Sequence, residues 1–171
     1  MRREVAVNDI PRGGLDIEIE ANAQERGEIA RRFGLLGLAV LRGRYRVSAT
    51  GRGARVEGEV EARLRQTCVV SLEPFDADLR EPVDLTFAPD DRPPAAALQI
   101  DIALDDEDPP EPLHNGKIDL GAVTLEFLAL GLDPHPRKPG VDFVHEKAQA
   151  DRETSPFAVL ARHLEPKPVK K

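Results

Sequence analysis

LAVLRGRYRVSATGRGARVEGEVEARLRQ, residues Leu38–Gln66, decides the fold, because two runs of strict alternation flank a glycine-rich break. In the first run Leu41, Gly43, Tyr45 and Val47 alternate with Arg42, Arg44 and Arg46. In the second, Val56, Gly58, Val60, Ala62 and Leu64 alternate with Glu57, Glu59, Glu61 and Arg63. A period of two is that of a half-buried strand. Gly51 can open a two-residue turn with positive φ, so the segment reads as a β-hairpin over about 38–66. With Gly51–Arg52 as the turn, Thr50 faces Gly53, and Arg46, Arg44 and Arg42 face Glu57, Glu59 and Glu61. Opposite charges directly across a ladder contribute roughly 0.2–1 kcal/mol per pair. The arginine stripe has a second reading as an RNA contact; an acidic residue opposite each arginine weakens it.

Outward from the hairpin, Leu15, Ile17 and Ile19 alternate with charged neighbours and predict a short strand. A helix over about 23–33 follows. Asn22 with Glu25 three residues on has the form of a capping box, Ile29 and Phe33 share a face, and Gly34 is a stop. Phe75, Ala77, Leu79, Val83, Leu85 and Phe87 continue the alternation as a strand near 75–88. Pro82 places that strand at an edge or a bulge, since it donates no ladder hydrogen bond. Residues 89–97 read as a loop, and Leu98, Ile100, Ile102 and Leu104 as another strand near 98–104. DDEDPPEP, at 105–112, is too rich in proline for a helix and reads as an acidic loop.

Asp119 is the expected N-cap of a second helix over about 119–131, ended by Gly131 and Pro134. Leu120, Val123, Phe127 and Leu130 form one apolar stripe and Leu125, Leu128 and Leu132 another. A helix apolar on most sides lies in the core or under a partner. DPHPRKPGVDF then holds the chain extended and presents His135, Arg137 and Lys138 at a stiff exit. The expectation is an α+β fold, mainly antiparallel sheet. It occupies a single domain over 1–143, followed by a charged, mobile tail at 144–171. In that tail Phe157, Leu160, Ala161 and Leu164 stand at helical spacing.

Charge is segregated along the chain. Residues 1–72 hold 13 basic and 10 acidic groups, residues 73–133 hold 3 and 16, and residues 134–171 hold 8 and 5, for a net of −7. The acidic middle repels phosphate backbones and attracts basic proteins. Aromatics are 4% with no Trp, which leaves few platforms for stacking bases. The first residues carry no apolar run and no stretch reaches the ~20 apolar residues of a bilayer span, so a cytoplasmic protein without a membrane partner is expected. Cys68 is the single cysteine, which excludes an internal disulfide and a zinc cluster built on cysteines.

His114, His135, His145 and His163 show no metal-ligand spacing, and there is no phosphate-binding glycine loop or nucleophile elbow. Asp101 and Asp105–Asp108 are carboxylates of the kind that magnesium or calcium takes, without the ligand alternation of a calcium loop. Cys68 ends the apolar face of the second hairpin strand, where a small buried hydrophobe is expected. No cofactor, metal or catalytic residue is assigned.

CVVSLEPF at Cys68–Phe75, a strand ending at TFAPD, and KIDLGAVTLEFLALGLDPHPRKPG at Lys117–Gly140 together carry a resemblance. The chain resembles the YceD family of large ribosomal RNA subunit accumulation proteins, closest to its alphaproteobacterial branch, from about Ile17 to Phe143. The Asp119-Leu120-Gly121 start and the proline-spaced exit are its more specific parts. Many members carry Cys-x-x-Cys where this chain has Cys68 and Ser71, so no thiol pair or zinc role is implied. The resemblance implies a non-enzymatic part in synthesis, processing or accumulation of large-subunit (23S) ribosomal RNA during ribosome biogenesis. Its partners would be ribosomal RNA or large-subunit ribosomal proteins, or one basic ribosomal protein held without RNA contact. The candidate contacts are His135, Arg137 and Lys138, with Arg42, Arg44 and Arg46 as a second set.

Overall fold

The hairpin forms in the expected register. Strands β3 (Gly37–Thr50) and β4 (Gly53–Thr67) pair antiparallel, with Thr50 opposite Gly53 and Arg46, Arg44 and Arg42 opposite Glu57, Glu59 and Glu61. The computed structural model describes residues 1–89 and 109–142. The chain divides into two units, Met1–Pro139 and Gly140–Lys171, and all that follows concerns the first. The strand expected at 98–104 and the tail at 144–171 lie outside the described residues.

Strand β2 (Leu15–Glu20) adds antiparallel to β3, and β5 (Pro74–Pro89) adds antiparallel to β4. A short strand β6 (Glu111–Leu113) pairs parallel with Phe87–Pro89, which gives a five-stranded sheet in the order β2-β3-β4-β5-β6. Glu111 and Pro112, expected at the end of an acidic loop, are therefore in a strand. A proline is accommodated there when its nitrogen faces away from the ladder. Pro82 sits opposite Glu59 on β5, whose outer side has a strand partner only at Phe87–Pro89 among the described residues. Of the edge or bulge expected at Pro82, the described residues show an edge.

Helix α1 (Ala23–Arg32) carries the full capping box: Asn22 Oδ1 accepts from the Glu25 amide at 2.9 Å, and Glu25 Oε2 accepts from the Asn22 amide at 3.0 Å. It closes around Gly34, where the Gly34 and Leu35 amides donate to the carbonyls of Arg31 and Ala30. This reciprocal pair satisfies carbonyls that a helix end otherwise leaves open. Two short strands that the sequence did not announce, β1 (Glu4–Ala6) and β7 (Lys117–Asp119), pair antiparallel in a separate ribbon. The ribbon leads into helix α2 (Leu120–Gly131). Asp119 caps that helix by accepting from the Gly121 and Ala122 amides, and its Oδ1 also accepts from the Arg3 amide at 2.8 Å. Arg3 in turn reaches Glu25 at 3.2 Å, so one arginine joins the starts of both helices.

The core lies between the sheet and α2. Leu41, Val47, Val56, Val60, Leu120 and Leu128 are fully buried there. The expected apolar stripe on α2 holds only in part: Val123 is buried, but Leu130 is 69% exposed, so the last turn of the stripe is uncovered. Thr124, the one buried polar residue among those described, is satisfied. Its hydroxyl donates to the Leu120 carbonyl at 2.8 Å, which leaves Oγ1 to accept from the Tyr45 hydroxyl at 2.6 Å. Gly43, two residues before Tyr45 on the same face, makes the room. A β-carbon at Gly43 would lie 2.5 Å from Cε2 and the hydroxyl of the Tyr45 ring.

Two substitutions test this contact by urea unfolding. Tyr45→Phe should lower stability by about 0.5–1.5 kcal/mol, the net worth of one hydrogen bond. Gly43→Ala should lower it by about 1–3 kcal/mol, since the ring must leave both its space and its partner. Both should move the midpoint without changing the slope.

Candidate functional site

The arginine stripe lies on the open face of the sheet, opposite the helices. Its register is as expected, but two of its three ion pairs are not. Arg42 turns to Glu18 at 3.0 Å and Glu20 at 3.2 Å on β2, and Arg46 to Asp16 at 3.0 Å. Only Arg44 reaches the hairpin glutamates, Glu59 at 3.7 Å and Glu61 at 3.5 Å. The reason is position: β3 is interior, and β2 places Asp16, Glu18 and Glu20 opposite Arg46, Arg44 and Arg42. The lattice continues onto β5 through Arg55–Asp84 at 2.7 Å, Arg63–Asp78 at 3.0 Å and Glu61–Arg80 at 3.1 Å. Exposed pairs of this kind contribute little stability singly. Together they leave no unmatched basic stripe for a phosphate backbone.

The exit segment is held differently. After β4 the chain makes a tight loop in which the Cys68 amide donates to the Glu73 carbonyl and the Leu72 amide to the Cys68 carbonyl, both at 2.9 Å. Leu72 takes a φ of 60°, uncommon for a branched residue. This loop grips the segment after α2. The Val69 amide donates to the Pro136 carbonyl at 2.9 Å, and the Lys138 amide donates to Cys68 Sγ at 3.3 Å. Outside the backbone, Lys138 Nζ pairs with Glu73 at 2.8 Å. His135 is set by its amide, which donates to Asp133 Oδ1 at 2.8 Å. His135 and Arg137 are exposed, whereas Lys138 is half-buried. The three residues expected at the exit are thus on one docked strap, and none of the stripe arginines joins them.

Cys68 is the centre of that docking and its role goes beyond filling space. The thiol is buried, and its sulfur accepts from the amides of Val70, Ser71 and Lys138. The Ser71 hydroxyl and these inward amides, that of Ser71 first, draw the thiol down to about 6, because each favours the thiolate. Glu73 is held below the usual carboxylate range by Lys138, and Lys138 above its own by Glu73. Sequence reading missed this hub, since nothing in CVVSLEPF says that a segment 70 residues away supplies a donor. Among the described residues no group of three or more His, Cys, Asp or Glu is placed to hold a metal. The acidic run Asp105–Asp108 and Asp101 lie outside them.

Between the first half of β5 and the strap runs a groove of about 550 Å³. Phe75, Ala77, Leu79 and Leu132 give it apolar walls, and Pro136 and Arg137 close its strap side.

Fold and site define a strand-dominated α+β protein whose basic exit is docked on a cysteine-centred loop. The chain belongs to the YceD family: its model, described as large ribosomal RNA subunit accumulation protein YceD, matches residues 56–163. The match takes in β4, the cysteine loop, α2 and the strap, and begins after the first hairpin strand. No curated protein and no solved structure matches the chain. Among the described residues no helix is long and apolar enough to cross a membrane.

The cysteine hub carries a pH dependence. A free thiol titrates near 8.5, and Cys68 is drawn down to about 6 when folded. Its contribution is therefore complete above about pH 8.5 and is lost as the pH falls through about 6. The difference in unfolding midpoint between the native chain and Cys68→Ala should shrink across that window. A difference independent of pH would show that the thiolate adds nothing.

Proposed function

We propose that the chain is a non-enzymatic factor that supports synthesis, processing or accumulation of large-subunit ribosomal RNA by binding an assembly intermediate in the cytoplasm. Membership of the YceD family, described as large ribosomal RNA subunit accumulation protein, supports the process. The docked strap supports His135 and Arg137 as the contact: they are exposed on a backbone fixed at Pro136 and Lys138, so ordering them on binding costs little entropy. Deleting the gene should lower mature large-subunit RNA relative to small-subunit RNA, and unchanged RNA and subunit profiles would overturn the proposal.

One observation favours a second reading, an adaptor that holds a basic ribosomal protein without touching RNA. Arg42, Arg44 and Arg46 are each answered by carboxylates, and Lys138 is answered by Glu73. These cations are thus already answered, and phosphate neutralisation by cations supplies most non-specific RNA affinity. The two readings separate on purified protein. If the strap touches RNA, Arg137→Glu with His135→Glu should weaken ribosomal RNA binding at least tenfold and flatten its salt dependence. The adaptor reading expects weak RNA binding in the native chain and no further loss in the variant.

A further inference from the structure

We propose that the groove beside β5 receives an extended, lysine- or arginine-bearing peptide segment of a partner protein, which pairs with the free edge of β5 between Phe75 and Glu81. This deepens the adaptor reading and rests on it. Every residue from Phe75 to Glu81 lines the groove in succession. Successive side chains of a strand point to opposite faces, so a cavity that touches all of them reaches round the strand's edge, while Leu64 and Gln66 of β4 line its part over the covered face. That edge is unpaired among the described residues, since β6 occupies only Phe87–Pro89. Among the described residues no backbone group of residues 75–81 bonds outside the β4 ladder, in contrast to Cys68 and Val69 nearby.

Pro82 fixes which groups are open. A proline inside a paired strand turns its nitrogen away from the ladder. By alternation the amides and carbonyls of Asp76, Asp78 and Arg80 also point outward, toward the groove. Pro82 ends the run at one side, as edge strands do when they limit pairing. An added strand thus has a defined length and register, with its main chain giving affinity and its alternate side chains giving selection.

Charge selects the peptide. Asp76 and Asp78 are matched by Arg65 and Arg63, and Arg80 by Glu61. Glu81 and Asp133, which also line the groove, have no cationic partner among the described residues. Leu79 and Leu132 form an apolar wall beside them. A strand that alternates small apolar residues with lysine or arginine matches the backbone edge, the apolar wall and the two carboxylates without a cationic partner, against the like charge of Arg137 on the strap side.

The test uses the purified full chain and a synthetic peptide of alternating lysine and valine, with a glutamate–valine peptide as the charge control. Binding should slow exchange of the Asp76, Asp78 and Arg80 amides, and the glutamate peptide should bind at least tenfold more weakly. Asp78→Pro removes an outward amide and should weaken lysine-peptide binding at least tenfold. Asp78→Ala, which loses the same ion pair but keeps the amide, should bind like the native chain. Should Asp78→Pro fail to fold, Glu81→Lys with Asp133→Lys decides instead, with the same loss expected. Amides already protected in the free chain would mean that the chain covers its own edge and would overturn the proposal. So would protection elsewhere, equal binding of both peptides, or displacement of the peptide by ribosomal RNA. None of these readouts involves RNA accumulation, so a failure here leaves the assembly-factor reading to the deletion strain.

Discussion

The rest of the structure depends on how α2, beside α1, covers the sheet's apolar face with a single polar side chain in its buried surface. Thr124 on α2 would be an unsatisfied group in the core, and a buried polar atom without a partner is expensive. Its hydroxyl back-bonds to Leu120 and accepts from Tyr45, so both polar groups are answered inside the apolar layer. This contact fixes where α2 sits along β3, because apolar contacts alone tolerate sliding and a buried hydrogen bond does not. Everything beyond α2 inherits that position. The strap begins where the helix ends, and it meets the Cys68 loop only if α2 lies at the correct depth across the sheet.

The two faces of the sheet follow different physics. On the covered face, area removed from water holds the layers together. On the open face, carboxylates and guanidiniums alternate across β2 to β5 and form an ion-pair lattice of small net charge. Such a face remains hydrated and offers no apolar patch. The less evenly matched features gather at one end of the molecule. There the Cys68 loop exposes Val69 and Leu72 to 44% and 76%, the strap exposes Arg137, and the first half of β5 has no outer strand partner among the described residues.

The local parts of the fold were legible because their signals are local. Alternation and a turn glycine set the hairpin register, Asn22 and Glu25 announced the capping box, and Asp119 announced α2. What could not be read depends on distant partners. The arginines were assigned to the hairpin glutamates because those are near in sequence, whereas β2 competes from the other side. The ribbon of β1 and β7 has three-residue strands, too short for a periodic signal. At the candidate site, the basic exit was visible as residues but not as a docked element. Cys68 was read as a small hydrophobe because the donor that completes its hub comes from Lys138.

The central claim, that a buried tyrosine ties α2 to the sheet, has a direct optical test. Tyr45 is the single tyrosine and the chain has no tryptophan, so an ultraviolet absorbance titration reads this side chain alone. Burial pushes its hydroxyl up to about 12. The unfolded chain ionises near 10, so the fold's hold on the neutral phenol is intact below about pH 10 and is lost as the pH rises through about 12. The account predicts a phenol silent at pH values where free tyrosine is half ionised, and released only as the chain unfolds. A reversible titration near 10 with circular dichroism unchanged would place Tyr45 in water and contradict it.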